Sequence, residues 1–234
     1  MLTIIEDLRA ADAVAVRASV AVVEKIAAGD LVRVTPCAGW DLGDLLAHMT
    51  AQHRGFAAAA RGQGADPAFW AEEHAGERHV EQHAGEQRAK ERRVEQHAGE
   101  QGVEQRAEVR ASEDAVRRYV KAAEDVIAAF AEVGVLERTF CLPDAGGDHP
   151  GRLAIGMHLV DYTVHGWDVA RAIGVDFQPG ADVLARTLPI VRALPGGKAR
   201  LAPGAAFGPA REVPVGADAL TEILLLLGRI PSAE

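Results

Sequence analysis

Apolar residues recur at helical spacing along most of the chain. Between residues 4 and 28, Leu8, Ala11, Ala15, Val22 and Ile26 share one face, and Gly29-Asp30 stops the segment. After a loop from Thr35 to Trp40, Asp41 is a good N-cap, with Asp44 three residues on where an acid suits the helix start. The helix it opens runs to about Arg61, with Leu42, Leu45, Leu46, Met49 and Phe56 on its apolar side. Ser112-Glu113-Asp114 opens a third helix to about Val133, with Val116, Val120, Ala123, Ile127 and Phe130 toward the core. Glu137 to Leu142 reads as a short strand or extended link. Pro150 suits the first turn of a fourth helix that ends near Gly174. A fifth helical piece spans Ala181 to Leu194, with Pro189 a candidate break, and a last helix spans Ala217 to Arg229. Four strong helices predict an all-α fold: an antiparallel four-helix bundle with a long central connection.

The fourth helix carries an internal contradiction. Leu153, Met157, Val160, Val164 and Trp167 form an apolar stripe, and Ile155, Leu159, Tyr162 and Val169 add apolar surface elsewhere, so the helix reads as buried. Yet His158, Asp161, His165 and Asp168 follow one another at spacings of 3, 4 and 3, which puts them on one face. Two imidazoles and two carboxylates are costly to bury unless paired, hydrogen-bonded or bound to a metal. That stripe is where chemistry is expected.

Residues 71–111 differ in character. Val-Glu-Gln-His-Ala-Gly-Glu-Gln occurs at 80–87 and again at 94–101, with a shorter copy from Glu73. From Ala71 to Arg118 there is no aromatic residue, Leu, Ile or Met. Such a segment has nothing to bury and reads as a duplicated insertion, either disordered or a solvated polar helix. Its histidines, His74, His79, His83 and His97, arose by copying one short unit and are not a metal cluster on this reading.

Composition narrows the function classes. A chain of 234 residues with 48% hydrophobic content is long enough for one well-buried domain plus appendages. The net charge of −9 argues against nucleic acid and anionic membrane surfaces. No apolar run is long enough to span a bilayer, and the N-terminus lacks the basic start of a signal peptide, which predicts a cytoplasmic protein. Cys37 and Cys141 read as free thiols of a reducing compartment.

Asp161 and His165, at i and i+4, can reach one ion. His48, on a helix that must face the core, is the best third ligand. Two imidazoles and one carboxylate leave coordination positions open and suit Zn²⁺, with Ni²⁺ or Fe²⁺ as alternatives. A hydrogen-bonded core pair is the competing reading of the same spacing.

Thr35-Pro-Cys-Ala-Gly-Trp-Asp-Leu-Gly-Asp-Leu-Leu-Ala-His48 and His158-Leu-Val-Asp161-Tyr-Thr-Val-His165-Gly-Trp-Asp168-Val-Ala-Arg171 together resemble the DinB-like superfamily. More narrowly they are similar to the branch containing the mycothiol-dependent maleylpyruvate isomerase metal-binding domain. The ending Leu225-Leu-Leu-Gly-Arg-Ile-Pro231 resembles actinobacterial members of that branch. The resemblance covers about 1–62 and 112–234. It implies a DinB-like bundle over 1–174, interrupted by the 71–111 insertion, with a small C-terminal helical extension over 175–234. It also implies a divalent metal held by His48, Asp161 and His165. Many relatives have His or Glu where this chain has the shorter Asp161.

On this resemblance His158 is a candidate proton shuttle, and Asp168 a group that orients ligands. Arg171 either pairs with Asp168 or holds a cosubstrate or substrate carboxylate. Trp40 and Trp167 read as packing anchors. The implied function is a metal-dependent transferase or isomerase. It would use mycothiol or another low-molecular-weight thiol on a small electrophilic substrate, as a monomer or homodimer. A non-catalytic metal-binding module and a metal-water hydrolase are the alternatives.

Overall fold

The computed structural model describes residues 6–74, 97–195, 200 and 207–231. The chain is mostly helical: α1 (Arg9–Val23), α2 (Leu42–Ala60), α3 (His97–Phe130), α4 (Gly151–Ile173), α5 (Ala181–Ala193) and α6 (Ala219–Leu226). A hairpin of β1 (Thr139–Leu142) and β2 (Gly147–Pro150) precedes α4, pairing Thr139 with Pro150 and Leu142 with Gly147.

Local chemistry explains the element ends. The Asp41 carboxylate accepts from the Asp44 amide at 2.9 Å, and the Asp44 carboxylate accepts from the Asp41 amide at 3.2 Å. This reciprocal cap contributes about 1 kcal/mol and fixes where α2 starts. Gly174 ends α4 in the left-handed region (φ 73°), a conformation that carries no steric cost without a Cβ. α5 runs unbroken through Pro189, because Val183 on one side and Ile190 and Val191 on the other are held in the core.

The third helix departs from the expectation in two ways. It begins at His97 rather than Ser112, so the later part of the duplicated segment is helix with exposed side chains from Gln105 to Arg110. A polar run rich in Glu, Gln, Arg and Ala propagates a helix that packing has already nucleated. The expected Ala123 and Phe130 are in the core, but the rest of the buried face, Ala115, Tyr119, Ala122, Val126 and Ala129, lies one position before the expected stripe. Val116 and Val120 are only half-buried. The duplicated residues 75–96, with His79 and His83, lie outside the described residues.

α1 packs on α4 and α3, and α2 packs on α3 and α4. The apolar core falls into two clusters. α1 and α4 begin in the first and end in the second, whereas α2 and α3 run the other way. The packed pairs α1–α4 and α2–α3 are therefore parallel, and α1–α3 and α2–α4 antiparallel. Parallel α2 and α3 require a connection that travels back along their length, and residues 61–74 are its described part. α5 and α6 pack together, and α5 also lies on α4 and α1.

Candidate metal centre

The four polar residues of α4 divide between two clusters. In the first, His48 from α2 meets Asp161 and His165 from α4, with one donor atom from each within 4.8 Å of the others. His165 Nε2 lies 3.4 Å from Asp161 Oδ1, and its Nδ1 lies 3.0 Å from Asp168 Oδ2. His48 Nδ1 lies 2.9 Å from Glu72 Oε1. Each imidazole thus has a carboxylate behind it, which leaves Nε2 as the nitrogen free to coordinate. His48 and Asp161 are about one-fifth exposed, so the cluster has a solvent-facing side, while His165 is buried. Trp40 packs on His48 with ring centres 4.7 Å apart.

The electrostatics favour a positive charge here. Burial pushes the Asp161 carboxyl up, but the neighbouring His165, His48 and His158 outweigh it and hold it at about 2. Burial opposes a charge on His165, yet Asp161, Asp168 and Cys37 hold its pKa well above the ordinary value. Two carboxylates already stabilise one cation at this place as an imidazolium, and a nitrogen- and oxygen-donor set of this kind suits zinc, iron or nickel. The donor chemistry therefore fits a divalent metal.

Behind His165, Asp168 accepts from Arg229 Nε at 3.1 Å and Nη2 at 2.8 Å. Arg229 follows α6, so the C-terminal segment reaches the site. Its Nη2 is also 3.3 Å from Cys37 Sγ, and Cys37 Sγ is 3.2 Å from Asp168 Oδ2. Burial pushes Asp168 up, but His165 and Arg229 bring it below the usual carboxylate value. Cys37, His165 and Asp168 form a second group close enough to share an ion. The Arg229 guanidinium already touches two of its three members and repels a cation there, which favours the first set.

The second cluster holds His158, fully buried, with Nδ1 2.7 Å from Asp12 Oδ1 and Nε2 3.1 Å from His53 Nδ1. His53 stacks on Tyr162 at 3.8 Å. Burial, with His158 adding to it, pushes the His53 pKa well below its ordinary value.

Sequence reasoning placed His48, Asp161, His165 and Asp168 in one neighbourhood, and the structure brings them together. His158 turns to Asp12 and His53 instead. The expected Arg171–Asp168 pair is corrected: Arg171 is exposed, and Asp168, with no exposed surface, takes its guanidinium from Arg229. Glu72, Arg229, Asp12 and His53 were missed. Asp12 and His53 carried the signal that α4 gave, a polar residue on an apolar helix face; Glu72 and Arg229 did not.

Fold and site together define a mostly helical protein with a candidate divalent-cation centre between two long helices. The chain belongs to the mycothiol maleylpyruvate isomerase N-terminal domain family, whose profile matches residues 13–170. It is also similar to two uncharacterized proteins of Mycobacterium tuberculosis, from the CDC 1551 / Oshkosh and ATCC 25618 / H37Rv strains. Each is 32% identical over 100 residues, 43% of this chain and 53% of the relative. The chain thus spans about half the length of these curated relatives. No solved structure matches it.

Proposed function

We propose that the chain is a cytoplasmic, divalent-metal-binding protein that uses mycothiol, or another low-molecular-weight thiol, to transfer sulfur to or isomerise a small electrophile. In this reading α1 to α4 form a DinB-like four-helix bundle within 1–174, and residues 175–234 are a helical extension. The observation that carries it is the convergence of His48, Asp161 and His165 from two helices. Family membership supports the thiol.

When bound, a divalent metal lowers the pKa of a coordinated thiol and makes its thiolate available at neutral pH. His48, Asp161 and His165 hold the ion, with zinc the best fit to the donor set. Asp168 fixes the His165 ring by accepting from Nδ1. The part-exposed flank of His48 and Asp161 admits the thiol and its substrate. Asp168 is held by Arg229 and His165, and His158 by Asp12 and His53. Neither is therefore free as the general base that a metal-water hydrolase needs, and we assign His158 to packing rather than to proton transfer.

The test is metal content by elemental analysis, then thiol consumption with mycothiol and electrophilic cis-enoic acids. Near one equivalent of metal in the parent, lost in His48→Ala and His165→Ala, with thiol-dependent turnover, is the expected result. A metal-free parent that stays metal-free after zinc addition overturns the reading. Metal without any thiol-dependent turnover leaves the non-catalytic module.

A further inference from the structure

The chain between α2 and α3 begins with a strap laid along α2. A short 3-10 turn, Pro67–Trp70, delivers Trp70 against Gly55, so close that a Cβ there would sit 2.2 Å from the indole. Trp70 Nε1 donates to Gly64 O at 2.8 Å and fixes the ring. From Trp70 the chain runs extended toward the start of α2. Arg54 donates to Ala71 O and, at 2.6 Å, to Glu73. Glu72 Oε1 meets His48 Nδ1 at 2.9 Å, and His74 Nδ1 lies 3.2 Å from Asp44. Trp70, Arg54 and His74 therefore clamp the strap on either side of Glu72.

We infer that Glu72 is a positioning residue: it holds the His48 imidazole by Nδ1 so that Nε2 faces Asp161 and His165. The inference rests on the metal reading given above. Two features support it beyond the hydrogen bond. The arrangement repeats on the other imidazole ligand, where Asp168 engages His165 Nδ1, so both nitrogen donors are oriented in the same way. The two carboxylates also differ in origin. Asp168 comes from the ligand helix itself, whereas Glu72 comes from a segment whose place depends on the Trp70 anchor. His48 is part-exposed and Glu72 more so, so their pair contributes little to folding stability. Its consequence falls on the geometry of the site. A neutral imidazole needs its proton on Nδ1 to present a lone pair at Nε2, and a carboxylate beside Nδ1 selects that tautomer.

The experiment is zinc titration of the full chain against a chromophoric chelator, for the parent, Glu72→Ala, Glu72→Gln and His165→Ala. Long-range ¹⁵N spectra of the His48 ring in the metal-free forms, where no ion fixes the tautomer, supply a second readout. Glu72→Ala is expected to bind zinc about 10–100-fold more weakly than the parent, with Glu72→Gln between them. Melting of the metal-free variants should match the parent, and the His48 ring should lose its single tautomer in Glu72→Ala. If the parent binds zinc, His165→Ala does not, and both Glu72 variants match the parent, the inference fails while the metal reading stands. If the parent does not bind zinc, both fail.

Discussion

Replacing Asp168 separates what the ion pair does for stability from what it does for the site. Asp168 has no exposed surface and accepts both Arg229 N–H groups, at 3.1 and 2.8 Å, besides His165 at 3.0 Å. Asp168→Ala leaves a buried guanidinium with only Leu227 O at 3.5 Å and the Cys37 sulfur at 3.3 Å. Removing one partner of a buried pair costs about 3–5 kcal/mol. At about 2–4 °C per kcal/mol for a chain of this size, Tm falls by about 6–20 °C. Arg229→Met leaves Asp168 still facing the His165 imidazolium, so it costs less, about 1–3 kcal/mol. The double variant removes the stranded charge and should be more stable than Asp168→Ala alone. Thermal unfolding with chelator present isolates these effects from metal binding. Zinc affinity follows a different order: it drops about 10–100-fold in Asp168→Ala and stays low in the double variant, because His165 has lost its orienting acceptor. A double variant no more stable than Asp168→Ala, or a single loss below about 1 kcal/mol, refutes this account of the pair.

Other perturbations test the neighbouring elements. Gly55→Ala forces Trp70 out of its notch, costs about 1–3 kcal/mol in a urea titration, shifts tryptophan fluorescence and weakens zinc binding through Glu72. Unchanged zinc affinity would show that the strap holds without its anchor. His53 has a folded pKa well below its unfolded value near 6.5, so the unfolded chain binds more protons as pH falls through that range. Stability from this group is therefore present above about pH 6.5 and declines below it, by up to about 1.4 kcal/mol per unit. His53→Phe should flatten the urea-midpoint difference between pH 7 and pH 5; an equal slope in parent and variant would remove His53 as the cause. Cys37→Ser should keep its metal, since Cys37 lies on the Arg229 side of His165, and metal loss in that variant would move the ion to the Cys37, His165 and Asp168 set.

Much of the architecture was legible because burial writes itself as periodicity. Leu8, Ala11, Ala15, Val22 and Ile26 on α1 and its flanks, and Leu42, Leu45, Leu46, Met49 and Phe56 on α2, all lie in the core as their spacing predicts. On α3, Ala123 and Phe130 are buried as their spacing predicts, but the core face also takes in Tyr119, Val126 and the small residues Ala115, Ala122 and Ala129, so it is turned one position from Val116, Val120 and Ile127. The candidate ligands were legible because polar groups on apolar helices stand out. Glu72 was not, since an acid in an acidic, repetitive stretch carries no contrast. Arg229 was not, because its partner lies 61 positions away and only tertiary folding joins them. Helix direction was hidden too, as parallel and antiparallel neighbours need the same apolar stripes.

The reach of Arg229 to Asp168 would, on the proposed metal reading, tie the C-terminal segment to occupancy of the centre. Docking of the α6 end and metal occupancy share one carboxylate, Asp168, and any free energy that couples two such events acts equally in both directions. If the centre holds the proposed ion, a tail that steadies His165 through Asp168 would raise affinity for it, and a bound ion would, by the same amount, hold the tail down. The C-terminal segment is in this sense a second ligand of the centre, one that the chain supplies at fixed local concentration.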